Sequence, residues 1–273
     1  MKKVFVMFLA TVITFFSFSQ YVISYDMHSY GISMSSSPED IPQLKVYKEL
    51  IIDATDFTKS DIEYLHNNGV DKIYSYLNVG SIESFRNYYN EFEQYTLGEY
   101  TNWEDERWID VSNEKWQNYV VDTLAKELND KNIDGFFIDN VDVYTLFKSE
   151  ATYEGILSIL SSLKNKYGKE IIINNGYDFI NNTIEKGTSI SSIIDGVNQE
   201  EVMTVIKDYD KNKFRRQKNS EVKFTTNYLN NLKSQGLKIY VIEYTKNTNL
   251  KNKIISNYEK LGYNVFISRK VNL

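Results

Sequence analysis

Several carboxylates close or interrupt apolar runs of strand length. Asp53 follows Leu50-Ile51-Ile52. Asp139 follows Phe136-Phe137-Ile138, with Asn140 and Asp142 just beyond. Asp195 sits within Ile193-Ile194-Asp195-Gly196-Val197, and Glu200-Glu201 lie just past that run. Glu243, followed by Tyr244, ends Lys238-Ile239-Tyr240-Val241-Ile242. A carboxylate at the carboxyl end of a barrel strand faces the mouth, where barrel active sites sit. Paired carboxylates among aromatic rings suit glycoside hydrolysis. One protonates the leaving oxygen, the other serves as nucleophile or base, and the rings stack on sugar faces. The competing use of a single strand-end Asp is a helix N-cap or a loop hydrogen-bonder. Clustered carboxylates could also take Mg²⁺ or Ca²⁺, but no loop has the EF-hand spacing. With no Cys and two histidines, His28 and His66, a thiolate or three-His zinc site is excluded. No Gly-x-Gly-x-x-Gly or Walker A sequence occurs. No metal and no cofactor are expected. His66 reads as a solvated helix residue.

The elements that must position these carboxylates alternate. Eight strand-length runs are legible: Tyr30–Met34, Leu50–Ala54, Lys72–Leu77, Gly135–Asp139, Ile171–Asn174, Ile193–Val197, Lys238–Glu243 and Val265–Ser268. Their continuous apolar character predicts strands buried on both faces, as in parallel sheets. Between them lie helical stripes. Trp116, Val120, Leu124 and Leu128 fall at four-residue steps after Ser112 as the expected N-cap. Ile156, Ile159, Leu160 and Leu163 precede Gly168, and Ile254, Ile255, Tyr258 and Leu261 precede Gly262. Strands alternating with helices over this length predict a single (β/α)₈ barrel, with an open doubly wound sheet as the competitor. One connection is far longer than the rest, from Gly80 to about Asn113 after the third strand. Its Tyr, Trp and acidic residues argue for order over the mouth. Trp103 and Trp108 lie on it, and Trp116 is expected in the core. The basic run Lys211–Lys218 reads as a solvated helix face.

Composition bounds the rest. The chain has 273 residues and is 42% hydrophobic and 25% charged, so wholesale disorder is excluded. Met1-Lys2-Lys3 opens a short apolar stretch, Val4 to Phe18, followed by Ser19-Gln20. That pattern predicts a secretory signal peptide over residues 1–19 and a secreted or cell-surface product, with no membrane span after cleavage. The formal net charge of −6 disfavours a nucleic-acid partner and allows a cationic one. A monomer is expected.

On these residues the chain resembles glycoside hydrolase family 114, the endo-α-1,4-polygalactosaminidase-like TIM barrels. Four blocks carry the likeness: Tyr76-Leu77-Asn78-Val79-Gly80-Ser81-Ile82-Glu83-Ser84-Phe85-Arg86, Trp103-Glu104-Asp105-Glu106-Arg107-Trp108-Ile109-Asp110-Val111, Asp134-Gly135-Phe136-Phe137-Ile138-Asp139-Asn140-Val141-Asp142-Val143-Tyr144, and Asp195-Gly196-Val197-Asn198-Gln199-Glu200 with Glu243-Tyr244 later. The resemblance implies one TIM-barrel domain over residues 20–273. It implies Asp139 and Glu200 as the catalytic pair, Asp139 as nucleophile or base and Glu200 as general acid. Asp53, Asn140, Asp142, Glu243 and Tyr244 would line the sugar subsite, with Tyr76 from the first block. Arg86, Asp105, Glu106 and Trp108 would belong to the loop over it. The implied substrate is an α-1,4-linked galactosamine polymer, partly N-acetylated and cationic at its free amines. Two strands depart from the family pattern. The first, which usually carries a Trp and a Gln, reads Ser29-Tyr30-Gly31-Ile32-Ser33-Met34-Ser35. The fifth, which often ends Lys-Asn, reads Asn174-Asn175-Gly176. A glycosidase on another α-glycan and a barrel that binds carbohydrate without cleaving it are the alternatives.

Overall fold

Along each apolar run the side chains alternate between two cores, because successive residues of a strand point to opposite faces. The computed structural model describes residues 28–101 and 103–273, so the leader expected over residues 1–19 lies outside the described residues. Eight strands form one sheet in chain order: β1 (His28–Ser33), β2 (Tyr47–Ile52), β3 (Lys72–Asn78), β4 (Gly135–Asp139), β5 (Glu170–Asn174), β6 (Gly196–Glu200), β7 (Lys238–Tyr244) and β8 (Asn264–Ser268). Every neighbouring pair is parallel. The sheet curls until β1 and β8 lie side by side. Across that seam Tyr30 meets Phe266 edge-on at 6.4 Å, and the Met34 and Ser35 amides donate to the Leu273 carbonyl at 3.0 and 2.9 Å. The result is a (β/α)₈ TIM barrel.

The inner core is unusually rich in tyrosine: Tyr30, Tyr74, Tyr240 and Tyr244 share it with Ile32, Ile51, Phe137, Ile172 and Ile242. The outer core, between sheet and helices, takes the intervening residues, such as Leu50, Ile73, Phe136, Ile138, Ile171, Val197 and Val241. This parity decides what reaches the mouth. Asp139 is in step with inward Phe137, Asn174 with Ile172, Glu200 with Asn198, and Tyr76 and Asn78 with Tyr74. Glu243 is in step with outward Val241.

The helices follow the stripes, with instructive differences. The stripe from Trp116 to Leu128 is broken into an α segment Glu114–Tyr119, a π segment Val120–Leu124 and an α segment Ala125–Asp130. Four-residue spacing drifts on a 3.6-residue turn, and the wider π turn takes up the drift. Its N-cap is Asn113, whose Oδ1 accepts from the Lys115 and Trp116 amides, one residue after the expected Ser112. Trp116 is fully buried, its indole N–H donating to the Val79 carbonyl at 2.8 Å.

Two excursions rise from the strand ends. The first is the long connection, which is a built unit: strands Ser81–Glu83, Glu106–Ile109 and Thr96–Glu99 form a small antiparallel sheet in that spatial order. Ile82, Phe92 and Ile109 bury its underside. The second follows β6, where Thr204–Asp208 and Lys213–Arg216 form an antiparallel hairpin. The basic run is therefore a strand and not a helix face. Phe214 alternates with Lys213 and Arg215 and stacks on Tyr244 at 5.7 Å. The sixth barrel strand also starts later than the sequence suggested, at Gly196 and not Ile193. Asp195 falls before it, at the opposite end of the barrel from the mouth. There it accepts the Ile171 amide at 2.8 Å and pairs with Lys164 at 3.1 Å.

Candidate active site

The carboxyl ends of β4, β5 and β6 bring three polar side chains together. The Asn174 Nδ2 donates to Asp139 Oδ1 at 3.0 Å and to Glu200 Oε1 at 2.9 Å. One nitrogen thus bridges the two carboxylates. Its orientation is fixed from behind, since Asn198 Nδ2 donates to Asn174 Oδ1 at 2.7 Å and the Tyr30 hydroxyl donates to Asn198 Oδ1 at 3.3 Å. A flipped Asn174 amide would set an oxygen against two carboxylates, so this chain holds the donor outward. Asp139 Oδ1 also accepts the Asn140 amide at 2.9 Å, while Oδ2 has no hydrogen bond among the described residues. Glu200 Oε2 accepts from the Tyr244 hydroxyl at 2.5 Å.

The residue after each of these strands has a left-handed backbone: Asn140 at φ 63°, Asn175 at 55° and Glu201 at 60°. Such conformations are sparsely populated for residues with a Cβ and persist where surrounding contacts fix them. Here the contacts are visible. Asn140 Nδ2 donates to Asn78 Oδ1 at 3.1 Å, Ser81 Oγ at 2.8 Å and Glu106 Oε1 at 3.0 Å, and the Tyr100 hydroxyl donates to Asn140 Oδ1 at 3.1 Å. Asn175 Oδ1 accepts from Gln199 Nε2 at 2.8 Å and from the Glu200 amide at 3.2 Å. Glu201 Oε1 accepts the Ile206 amide at 2.7 Å, tying the strand end to the hairpin.

The long connection supplies one wall. Glu106 Oε1 accepts from Asn78 Nδ2 at 2.9 Å and from the Ser81 hydroxyl. Arg86 Nη2 reaches Asp53 Oδ2 at 2.8 Å and Glu83 Oε1 at 3.3 Å, clamping the connection to the end of β2. The Tyr76 hydroxyl donates to the same Glu83 oxygen at 3.4 Å. Glu83 Oε2 and Arg86 Nε are buried with no partner among the described residues. Trp103, 40% exposed, meets Tyr209 edge-on at 6.5 Å, so the long connection and the hairpin touch.

Packing so many acids together shifts their titration. Burial first, then the Glu200 charge, pushes Asp139 up to about 6 against the lowering bonds from Asn174 and the Asn140 amide. Burial and the Asp139 charge push Asp142 up to about 6. Burial pushes Glu106 up to about 7, with Asp139 and Glu83 adding to it. The Tyr76 phenol is raised by burial and by Asp139.

Of the residues singled out in the sequence, Asp139, Glu200, Asp142, Asn140, Tyr244, Tyr76, Glu106, Arg86 and Asp53 stand around this mouth. Three do not join it. Glu243 is fully buried on the outward face of β7, where it accepts the Met203 amide at 2.6 Å, the Thr204 amide at 2.8 Å and the Tyr258 hydroxyl at 2.5 Å. It anchors the hairpin and the Thr248–Leu261 helix, and both its oxygens are spent. Asp105 is exposed on the outer turn of the long connection, beside Ser84. Trp108 is 5% exposed and stacks on Tyr100 at 4.3 Å, so it backs the wall and offers no open face. His66 is held in place, with Nδ1 on the Val70 carbonyl at 2.9 Å and Nε2 on Asp134 Oδ2 at 3.2 Å. Asn174, Asn198, Tyr100 and Glu83 also belong to the site; Glu83 and Asn198 lie in the family blocks with no role assigned, Asn174 stands out only as a departure from the family pattern, and strand parity is what points to the two asparagines. Among the described residues no group of three His, Cys, Asp or Glu side chains is arranged to hold a metal ion, and no helix is long and apolar enough to cross a membrane.

Solved structures share this architecture. The glycoside hydrolase domain of PelA from Pseudomonas aeruginosa matches with a TM-score of 0.73 at 16% identity, covering 90% of this chain and 95% of that one. Ega3 from Aspergillus fumigatus, solved in complex with galactosamine, matches with a TM-score of 0.67 at 17% identity over 90% and 92%. A maltogenic α-amylase from Thermotoga neapolitana matches at 0.56 and 9% identity over 92% and 70%. At these identities the likeness is one of fold. No curated protein sequence matches. The sequence profile of glycoside-hydrolase family GH114 matches residues 20–272, and the protein is a member of that family of glycoside hydrolases.

Proposed function

We propose that the protein is an endo-acting glycosidase that cleaves an α-1,4-linked galactosamine polymer with retention of configuration, Asp139 as nucleophile and Glu200 as general acid. The observation that carries this reading is the single Asn174 nitrogen shared by Asp139 Oδ1 and Glu200 Oε1. Lying 3.0 and 2.9 Å from one nitrogen, these two oxygens are no more than the sum of those distances, about 5.9 Å, apart, short of the inverting range. Carboxyl groups lie about 5–5.5 Å apart in retaining enzymes and ~6.5–9.5 Å apart in inverting ones. Asp139 suits attack because two donors hold Oδ1 while Oδ2 stays free. Glu200 suits proton donation because the Tyr244 hydroxyl at Oε2 can donate to the carboxylate or accept from the acid.

In the first step the Glu200 proton passes to the glycosidic oxygen as that bond to the anomeric carbon breaks. Asp139 Oδ2 bonds to the same carbon. In the second step Glu200, now a carboxylate, takes a proton from water. The water oxygen displaces Asp139 and restores both groups. The family membership supports the reaction class, and the galactosamine bound to Ega3 supports the substrate. The carboxylates crowded at the mouth, Asp139, Asp142 and Glu200, offer acceptors to a sugar ammonium. The basic, apolar amino-terminal stretch supports export to where such a polymer is found.

Reducing-end release from de-N-acetylated α-1,4-galactosaminan tests the assignment. Asp139→Asn and Glu200→Gln should each lower kcat by roughly 10²–10⁴-fold, and the first product should keep the α configuration. Full activity in either variant would move the chemistry elsewhere. Wild-type activity on a different α-glycan would correct the substrate, and tight binding without turnover would make the protein a binding barrel.

A further inference from the structure

A second group of rings lies beside the mouth, outside the catalytic wall. Tyr177 opens the Tyr177–Glu185 helix, directly after Asn174-Asn175-Gly176. Phe224 and Tyr228 lie one turn apart on the Asn219–Ser234 helix, which descends from the hairpin. The Tyr177 ring sits 5.7 Å from Phe224, tilted by 48°, and 4.8 Å from Tyr228, tilted by 58°. Large core side chains in this barrel are almost fully covered, yet Tyr177 is 40% and Phe224 55% exposed. The Tyr228 hydroxyl, at the base of the notch, is buried with no partner among the described residues. Its phenol is pushed up by burial, by Tyr177 and by the Asp142 charge. The turn that carries Asp142 lies alongside, since a Cβ on Gly176, next to Tyr177, would stand 3.3 Å from the Val141 side chain. The Asp142 carboxyl is raised by burial, then by the Asp139 and Asp178 charges, against the lowering effect of the Gly176 amide. The rings thus stand beside the strand-end turn that carries both Asp139 and Asp142.

We propose that Tyr177 and Phe224, with Asp142 between them and Asp139, form a remote subsite for a cationic hexosamine unit of the polymer. The proposal rests on the glycosidase reading and extends it. Tilted rings present faces to the C–H side of a pyranose, as partly wet aromatics do at carbohydrate and interface sites. The paired acids Asp142 and Asp178 select an ammonium over an acetamide, since an acetamide carries no charge for them to attract. A unit held there lies to one side of the scissile bond, so the subsite rewards long chains and favours internal cleavage.

Calorimetric titration of the Asp139→Asn protein with α-1,4-galactosamine dimer and octamer tests this without turnover. The octamer should bind more tightly than the dimer. Adding Phe224→Ser, an exposed change that spares the core, should weaken the octamer by roughly threefold to tenfold and leave the dimer unchanged. Tyr177→Ser should do the same, and the fully N-acetylated octamer should gain less from the notch. Identical octamer affinity with and without Phe224, or equal losses on dimer and octamer, would overturn the subsite. So would a Phe224→Ser effect confined to sedimentation, which would make the rings a contact between copies of the chain. Failure of the glycosidase reading shows separately, as wild-type protein that binds the octamer and releases no reducing ends.

Discussion

At the scale of single residues, Asn174 governs the site. Among the described residues its amide is the one donor that bonds both carboxylates, and it counts among the causes that lower Asp139. Asn174→Ala should raise the Asp139 pKa above about 6, because a bond to the charged form is lost. The acidic limb of the kcat/KM profile should then move to higher pH, with kcat also reduced. An unmoved limb would show that the bridge does not tune the pair. Glu83→Gln should move the limb the other way, since the Glu83 charge is one of the causes that raise Asp139. The carboxylates themselves were legible as strand-end acids. Asn174 was not, because an asparagine after three isoleucines has no chemistry of its own until a donor between two acids is required. Glu243 shows the opposite error. Its type and strand-end position match the catalytic pattern, but it sits one residue out of step with Ile242 and Tyr244, and a one-residue step in a strand changes the face.

At the scale of elements, the two excursions were unequally visible. The long connection announced itself by length and aromatic content, although its internal sheet did not. The hairpin after β6 was hidden because lysines and arginines dominate its second strand, and only Ile206 and Phe214 pack against the inner core. Both excursions depend on close joints that can be tested. A Cβ on Gly80 would stand 1.8 Å from the Asn140 carbonyl oxygen, where the start of the long connection passes the end of β4. Gly80→Ala must push the two strand ends apart. It should cost about 2–4 kcal/mol in urea denaturation and should lower kcat by disturbing Asn140 and its neighbour Asp139. Glu243→Ala removes the acceptor of two amides and of the Thr204 and Tyr258 hydroxyls. It should cost about 3 kcal/mol, whereas Tyr258→Phe, which removes one bond, should cost about 1 kcal/mol. A Glu243→Ala protein as stable as wild type would refute the anchoring role.

At the scale of the whole molecule, the mouth is a stability debt that depends on pH. Asp139 and Asp142 are raised to about 6 and Glu106 to about 7. The fold therefore holds protons that the unfolded chain has already released. Stability from these groups is full below pH ~4, their unfolded range, and declines as the pH rises through ~6–7. Each ionised group can cost roughly 2–3 kcal/mol at neutral pH. Glu170 runs the other way: lowered to about 2 by bonds from Lys238, Tyr74 and Lys72 that outweigh its burial, it stabilises above its ordinary value and fails in strong acid. Urea midpoints should accordingly be higher near pH 5 than near pH 8, and Asp139→Asn should flatten that slope. A midpoint that rises with pH would contradict the burial of these acids. The tyrosine-lined barrel also carries its own optical reporter. Tyr30, Tyr74, Tyr240, Tyr244 and Tyr258 are all held above the ordinary phenol range, chiefly by burial. They stay protonated in alkali until the barrel opens, while unfolded tyrosines ionise near pH ~10. Phenolate absorbance should therefore rise in two stages: a gradual one from surface rings, then an abrupt one that coincides with loss of ellipticity.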